Sequence, residues 1–139
     1  MLADDDMDDC EYFKDALDEI NYKVDLTVVN DGMELMNTLL SPKDFKPDIL
    51  FLDLNMPKKS GMECLDEIKS TEKLNDIPII IFSTSSDRTV INRMYENGAH
   101  HYIQKPTQFS SLKSVIEKAI KIFDNGLKTP SMDRFIIHP

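Results

Sequence analysis

Apolar and polar positions along the chain alternate between two kinds of pattern. Short runs that are almost wholly apolar mark strands, and longer stretches with apolar residues three or four apart mark helices. Met1-Leu2-Ala3 reads as the last part of a strand. Phe13, Ala16, Leu17 and Ile20 put an amphipathic helix over about Asp8 to Ile20. Val24 to Val29 is rich in β-branched residues and predicts a second strand. Asn30-Asp31-Gly32 is a turn signal, and Leu35, Met36, Leu39 and Leu40 follow at helical spacing. Beyond a loop bracketed by Pro42 and Pro47, the run from Asp48 to Asp53 has the continuous apolar character of a strand covered on both faces. Met62, Leu65 and Ile68 mark a third helix and Ile77 to Phe82 a fourth strand. Val90, Ile91, Met94 and Tyr95 mark a fourth helix that ends at Asn97-Gly98. A short strand over His100 to Ile103 precedes a long helix carrying Phe109, Leu112, Ile116, Ala119, Ile120 and Phe123, stopped by Asn125-Gly126.

Five strands alternating with five helices predict an α/β fold, a doubly wound parallel sheet with helices on both faces. The length of 139 residues suits one domain, expected over 1–125, with a tail over 126–139. That tail is expected to be a loose or lattice-ordered end, although Phe135-Ile136-Ile137 is apolar enough to pack on the domain or on a second copy. The sixteen residues from Asp124 to Pro139 are too few for a helix-turn-helix or an enzyme module.

Composition narrows the function. The net charge of −9 disfavours direct nucleic-acid binding, which needs a basic face, and binding to an anionic membrane surface. Runs such as Ile79 to Phe82 are too short to span a bilayer, and the acidic start carries no secretory signal pattern. Cys10 and Cys64 form no metal-ligand spacing and read as free thiols, which fits a reducing cytoplasm. His100 and His101 read as surface residues of their short strand.

In a doubly wound sheet, ligands sit beyond the carboxyl ends of the strands, where strand order reverses. The residues at those ends are Asp4, Asp5, Asp53, Ser83 and Lys105. At about 4 Å and an effective dielectric near 20, each pair of carboxylates repels by roughly 4 kcal/mol. One carboxyl must therefore stay protonated or a cation must sit among them. Carboxylates plus the main-chain oxygen of Asn55 suit a hard divalent ion such as Mg²⁺. A metal, the Lys105 ammonium and the Ser83 hydroxyl around the Asp53 carboxylate form a phosphoryl-transfer site with Asp53 as nucleophile. The acidic stretch Asp4 to Asp9 also reads as a charged helix start, which is the expected role of Asp8 and Asp9; as an EF-hand loop it fails, with Asp9 where Gly is needed.

Several motifs occur in one order: Leu2-Ala3-Asp4-Asp5-Asp6, Ile49-Leu50-Phe51-Leu52-Asp53-Leu54-Asn55-Met56-Pro57 with Gly61, Pro78-Ile79-Ile80-Ile81-Phe82-Ser83, Gly98-Ala99, Tyr102 and Lys105-Pro106. Together they resemble the CheY-like receiver domains of response regulators, from about Leu2 to Phe123. The Asp53-Leu54-Asn55-Met56-Pro57-Lys58-Lys59 and Ser83-Thr84-Ser85 segments are most similar to the single-domain regulators of cyanobacterial phytochromes. The resemblance implies a flavodoxin-like strand order 2-1-3-4-5 and a two-component phosphorelay switch, not an enzyme acting on a foreign substrate. It implies Asp53 as phosphoacceptor, Asp4 and Asp5 with the Asn55 main-chain oxygen as the metal site, Ser83 and Tyr102 as the switch pair, and Lys105 on the phosphoryl group through a cis Lys105–Pro106 bond. It implies a histidine kinase or phosphotransfer protein upstream and a downstream protein target engaged by the fourth helix, fifth strand and fifth helix. The chain is expected to act as a monomer or weak homodimer.

Two other functions fit part of the pattern. A haloacid-dehalogenase-like phosphohydrolase would need a titratable acid two positions after Asp53, where Asn55 stands. A receiver-shaped adaptor working without phosphorylation would have no use for the full set Asp4, Asp5, Asp53, Ser83 and Lys105. The first strand is short, with three residues before Asp4, which puts the acidic pair near an end expected to fray.

Overall fold

The computed structural model describes residues 1–43, 45–126 and 129–139. Asp44, within the loop between Pro42 and Pro47, and Leu127 and Lys128, at the start of the tail, lie outside the described residues. The strands are β1 (Leu2–Ala3), β2 (Val28–Val29), β3 (Leu50–Leu52), β4 (Ile79–Ser83) and β5 (His101–Gln104). The helices are α1 (Met7–Glu19), α2 (Gly32–Leu39), α3 (Gly61–Ser70), α4 (Arg88–Glu96) and α5 (Phe109–Asp124). The strands form one parallel sheet in the order β2-β1-β3-β4-β5, the order that the family resemblance implies.

Strand periodicity divides the core in two. Leu50, Leu52, Ile79 and Ile81 pack with Leu35, Leu65, Ile68 and Met94 from α2, α3 and α4. The alternate residues Phe51, Ile80 and Phe82 point to the other face and pack with Phe13, Ala16, Val115 and Ile116 from α1 and α5. Apolar burial on both faces is why β3 and β4 read as continuous apolar runs.

Four sequence expectations change. The second strand covers only Val28–Val29, because β2 is an edge strand and its one partner, β1, offers only Leu2 and Ala3 for pairing; Val24 is left exposed. The start of the chain does not fray: the Asp4 N–H donates to the Val29 carbonyl (3.0 Å) and the Asp53 N–H to the Ala3 carbonyl (2.9 Å), pinning β1 from both sides. His101 is buried rather than on the surface, with Nδ1 3.0 Å from the Phe135 carbonyl. Its neighbour His100 accepts the Ile79 N–H at Nδ1 (3.2 Å), and burial, then Lys69 and His101, push its pKa down to about 4.

The tail is the fourth change. After a 3-10 turn at Met132–Arg134 it runs alongside β5, bridging Tyr102 to Ile136 in parallel. Phe135 and Ile137 are buried, and the Tyr95 hydroxyl donates to the Pro130 carbonyl (3.2 Å). The open edge of β5 and the apolar residues of the tail satisfy one another, so the tail covers that edge through a single bridge instead of hanging free.

Candidate functional site

The strand order reverses between β1 and β3, and the carboxyl ends of these two central strands hold the acids. Asp4 follows β1 directly and Asp53 follows β3. Both are buried, whereas Asp5 faces solvent. Carboxylate oxygens of Asp4, Asp5 and Asp53 lie within 4.8 Å of one another. Three hard oxygen donors, one open to water, are the donor set of a hard divalent cation, so these residues fit such an ion.

The loop that carries Asp53 is held by close backbone contact. The Gly61 N–H donates to the Leu54 carbonyl (2.9 Å), and a Cβ at Gly61 would lie 2.0 Å from the Asp53 carbonyl oxygen. Only glycine permits that approach. Ser60 caps α3, accepting the Glu63 N–H while the Glu63 carboxylate accepts the Ser60 N–H, which anchors the far end of the loop. Asn55 is exposed on this loop, and its N–H points at Asp53 Oδ1 (3.4 Å).

Lys105 closes the site from the end of β5. Its Nζ lies 2.8 Å from Asp4 Oδ2, 2.9 Å from Asp9 Oδ2 and 3.7 Å from Asp53 Oδ2. The ammonium also stands 5.5 Å from the centre of the Phe82 ring. Burial alone would lower the Lys105 pKa, but the hydrogen bonds to Asp4 and Asp9 outweigh it and hold the amine above the usual lysine range. Asp53 moves the other way from an ordinary carboxyl: burial pushes its pKa up to about 6, Lys105 opposes, and Asp4 adds to the rise.

The expected cis geometry at Lys105–Pro106 is not found: among the described residues no peptide bond is cis. The trans form is the lower-energy isomer of an X–Pro bond by about 0.5–1 kcal/mol, and Lys105 reaches the acids from it.

Ser83 ends β4 fully buried, and its Oγ accepts the Ser85 N–H (3.2 Å). The Tyr102 ring is also buried, and its hydroxyl donates to the Ser85 carbonyl (2.8 Å). Ser83 and Tyr102 are thus joined through one residue of the β4–α4 loop. Two contributors escaped the sequence reading. Asn30 donates from Nδ2 to the Asp4 carbonyl (3.1 Å), a contact across 26 residues that no local pattern reveals. The sequence pattern makes Asp9 a helix-start charge, yet it pairs with Lys105. Its position four residues before Phe13, on the stripe that α1 turns toward the sheet, was the available signal.

The response regulator receiver domain matches residues 1–117. The chain belongs to this family. Receiver domains are signalling parts of two-component systems rather than enzymes acting on foreign substrates, and they bind a divalent metal. The chain is 27% identical over 121 residues to the response regulator Rcp1 of Synechocystis, covering 84% of this chain and 82% of that protein. It is 32% identical over 118 residues to a probable C4-dicarboxylate response regulator, DctR, of Bacillus subtilis, covering 85% of this chain and 50% of that one. The chain spans about half the length of that regulator and of a probable methanogenesis regulatory protein of Methanothrix harundinacea (50% and 46%). Among solved structures, the phosphorylated cyanobacterial phytochrome response regulator RcpA superposes with a TM-score of 0.82 at 32% identity, covering 94% of this receiver and 96% of RcpA. The Mn²⁺-bound form of Rcp1 gives 0.81 at 25% identity, with the same two coverages of 94% and 96%. Among the described residues, no helix of this receiver is long and apolar enough to cross a membrane.

Proposed function

We propose that this receiver is a phosphorylation-activated switch of a two-component phosphorelay, and that Asp53 takes the phosphoryl group from a histidine kinase or phosphotransfer protein. The observation that carries this reading is the buried Asp53 carboxylate, converging with Asp4 and Asp5 and facing the Lys105 ammonium at 3.7 Å. An Asp53 oxygen attacks the phosphorus of a phosphohistidine. The O–P bond forms as the N–P bond breaks, and the imidazole keeps the electron pair and takes up a proton. Asp4, Asp5, Asp53 and the Asn55 main-chain oxygen would hold the metal, which we take to be Mg²⁺. Such an ion, when bound, neutralises charge on the acids and on the transferring group. Lys105 offers a second cation to the same phosphoryl oxygens.

Phosphorylation adds roughly −1.5 to −2 charge beside the β4–α4 loop. In this reading Ser83 turns its hydroxyl to the phosphoryl group. The loop follows, and Tyr102, tied to that loop at Ser85, carries the change to the face formed by α4, β5 and α5. A downstream protein would read that face, of which tail residues 130–137 form a part. Thr84 and Ser85, on the same loop, and Asn55 set the lifetime of the phosphate. We place the receiver in the cytoplasm as a monomer or weak homodimer, with the domain over 1–125 and the tail over 126–139.

Intact mass after incubation with Mg²⁺ and acetyl phosphate tests the reading. One phosphate gained by the wild type and none by Asp53→Asn is the expected result. No gain in either folded protein, with beryllofluoride binding also absent, would overturn it in favour of an adaptor that works without phosphorylation.

A further inference from the structure

We propose that Asp9 is a positioning residue that parks the Lys105 ammonium on the α1 side of the site, and so sets how readily Lys105 is released to an incoming phosphoryl group. The inference rests on the reading of Asp53 as phosphoacceptor. An ammonium has three donors. Two of those on Lys105 make charge-assisted bonds, to Asp4 (2.8 Å) and Asp9 (2.9 Å), while Asp53 stands beyond hydrogen-bond reach at 3.7 Å. Asp9 lies outside the converging trio Asp4, Asp5 and Asp53, so holding a cation does not explain it. Its carboxylate has one hydrogen-bonding or ion-pair partner among the described residues, and that partner is Lys105.

The bland account of Asp9 is an acid in the first turn of α1, favoured by the helix dipole. Asp8 shares that account in full: it sits in the same turn, is exposed, and makes no ion pair among the described residues. What separates the two is the contact with Lys105. The Lys105 side chain is 10% exposed and that of Asp9 is 39% exposed, so the pair is only partly screened by water. A phosphoryl group on Asp53 draws Nζ toward Asp53, which stands 3.7 Å away, and the two short bonds hold it back. The bond to Asp9 is the more exposed of the two, and it competes with the phosphoryl oxygens for the position of the ammonium. Asp9 is thus a brake on the phosphorylated state, acting only through Lys105.

The test is a calorimetric titration of the Mg²⁺-loaded protein with beryllofluoride, a phosphoryl mimic, with melting temperatures to verify folding. Asp9→Asn is expected to bind beryllofluoride about two- to fivefold more tightly than wild type, the range a partly exposed ion pair supports. Asp8→Asn, with the same change in net charge, is expected to stay at the wild-type affinity. Asp9→Glu restores the charge and is expected to return the affinity toward wild type. In a Lys105→Ala background, Asp9→Asn is expected to change nothing, because the group through which it acts is gone. Equal effects of Asp8→Asn and Asp9→Asn, or an Asp9→Asn effect that survives in the Lys105→Ala background, would overturn the role of Asp9 and leave Asp53 as acceptor intact. Wild type that fails to bind beryllofluoride at all would overturn both.

Discussion

Tyr102 and Phe135 hold each other in place. The Tyr102 N–H donates to the Phe135 carbonyl (3.0 Å), the Ile137 N–H returns to the Tyr102 carbonyl (2.9 Å), and the two rings lie with centroids 6.3 Å apart. Phe135 also meets Tyr95 of α4 edge-on at 5.2 Å. The residue expected to report the state of the site is therefore framed by a segment that lies beyond the matched family region.

Phe135 has no exposed surface and belongs to the core on the α2–α4 side of the sheet. Phe135→Ala is expected to cost about 3–5 kcal/mol, the range for a buried Phe, read as a lower urea midpoint with little change in slope. Faster amide exchange at Ile137 should accompany it. A loss below about 0.5 kcal/mol would mean that the tail adds nothing to the stability of the domain.

At Gly61 a Cβ would meet the Asp53 carbonyl oxygen at 2.0 Å and the Leu54 Cα at 2.8 Å, both backbone atoms. Gly61→Ala must push the Asp53 loop aside. It is expected to lose about 1–3 kcal/mol of stability. Mass measurement should also show slower phosphate uptake from acetyl phosphate, because the acceptor itself is displaced. Unchanged uptake in a folded Gly61→Ala protein would refute that coupling.

The raised pKa of Asp53 has a definite consequence for metal-free protein. With a folded value of about 6 against an ordinary 3.8, the folded state binds more protons than the unfolded state between those values. Stability therefore falls as pH rises through this window and then levels off above about pH 6. The loss is on the order of 1–3 kcal/mol, at about 1.4 kcal/mol per unit. Asp53→Asn in EDTA should flatten this part of the curve and raise the melting temperature at neutral pH. Added Mg²⁺ should stabilise the wild type there by binding the folded state alone. A wild-type curve that rises from pH 4 to 6 in step with that of the variant would contradict the assignment.

Much of the architecture is legible in the sequence alone. Apolar runs such as Ile79 to Phe82 lie under both layers of helices, and Phe13, Ala16 and Leu17 lie on the buried stripe of α1. Asp4, Asp53, Ser83 and Lys105 sit where strands end, and strand ends are visible in sequence. Val24 was misjudged because β propensity ignores whether a partner strand is long enough to pair with. His101 was misjudged because two polar residues at a strand start look exposed until another segment covers them.

Periodicity and residue type are local properties, and they set the order and type of the elements and the chemistry gathered at their ends. Which acid holds Lys105 and what covers the edge of β5 follow from packing between distant segments. Asp9 and Lys105 are 96 residues apart, and Tyr102 meets a tail more than thirty residues further on. Contacts of that kind depend on how α1 is turned against the end of β5 and on which segment covers an unpaired edge. Those are matters of packing geometry, and no window along the chain contains both partners.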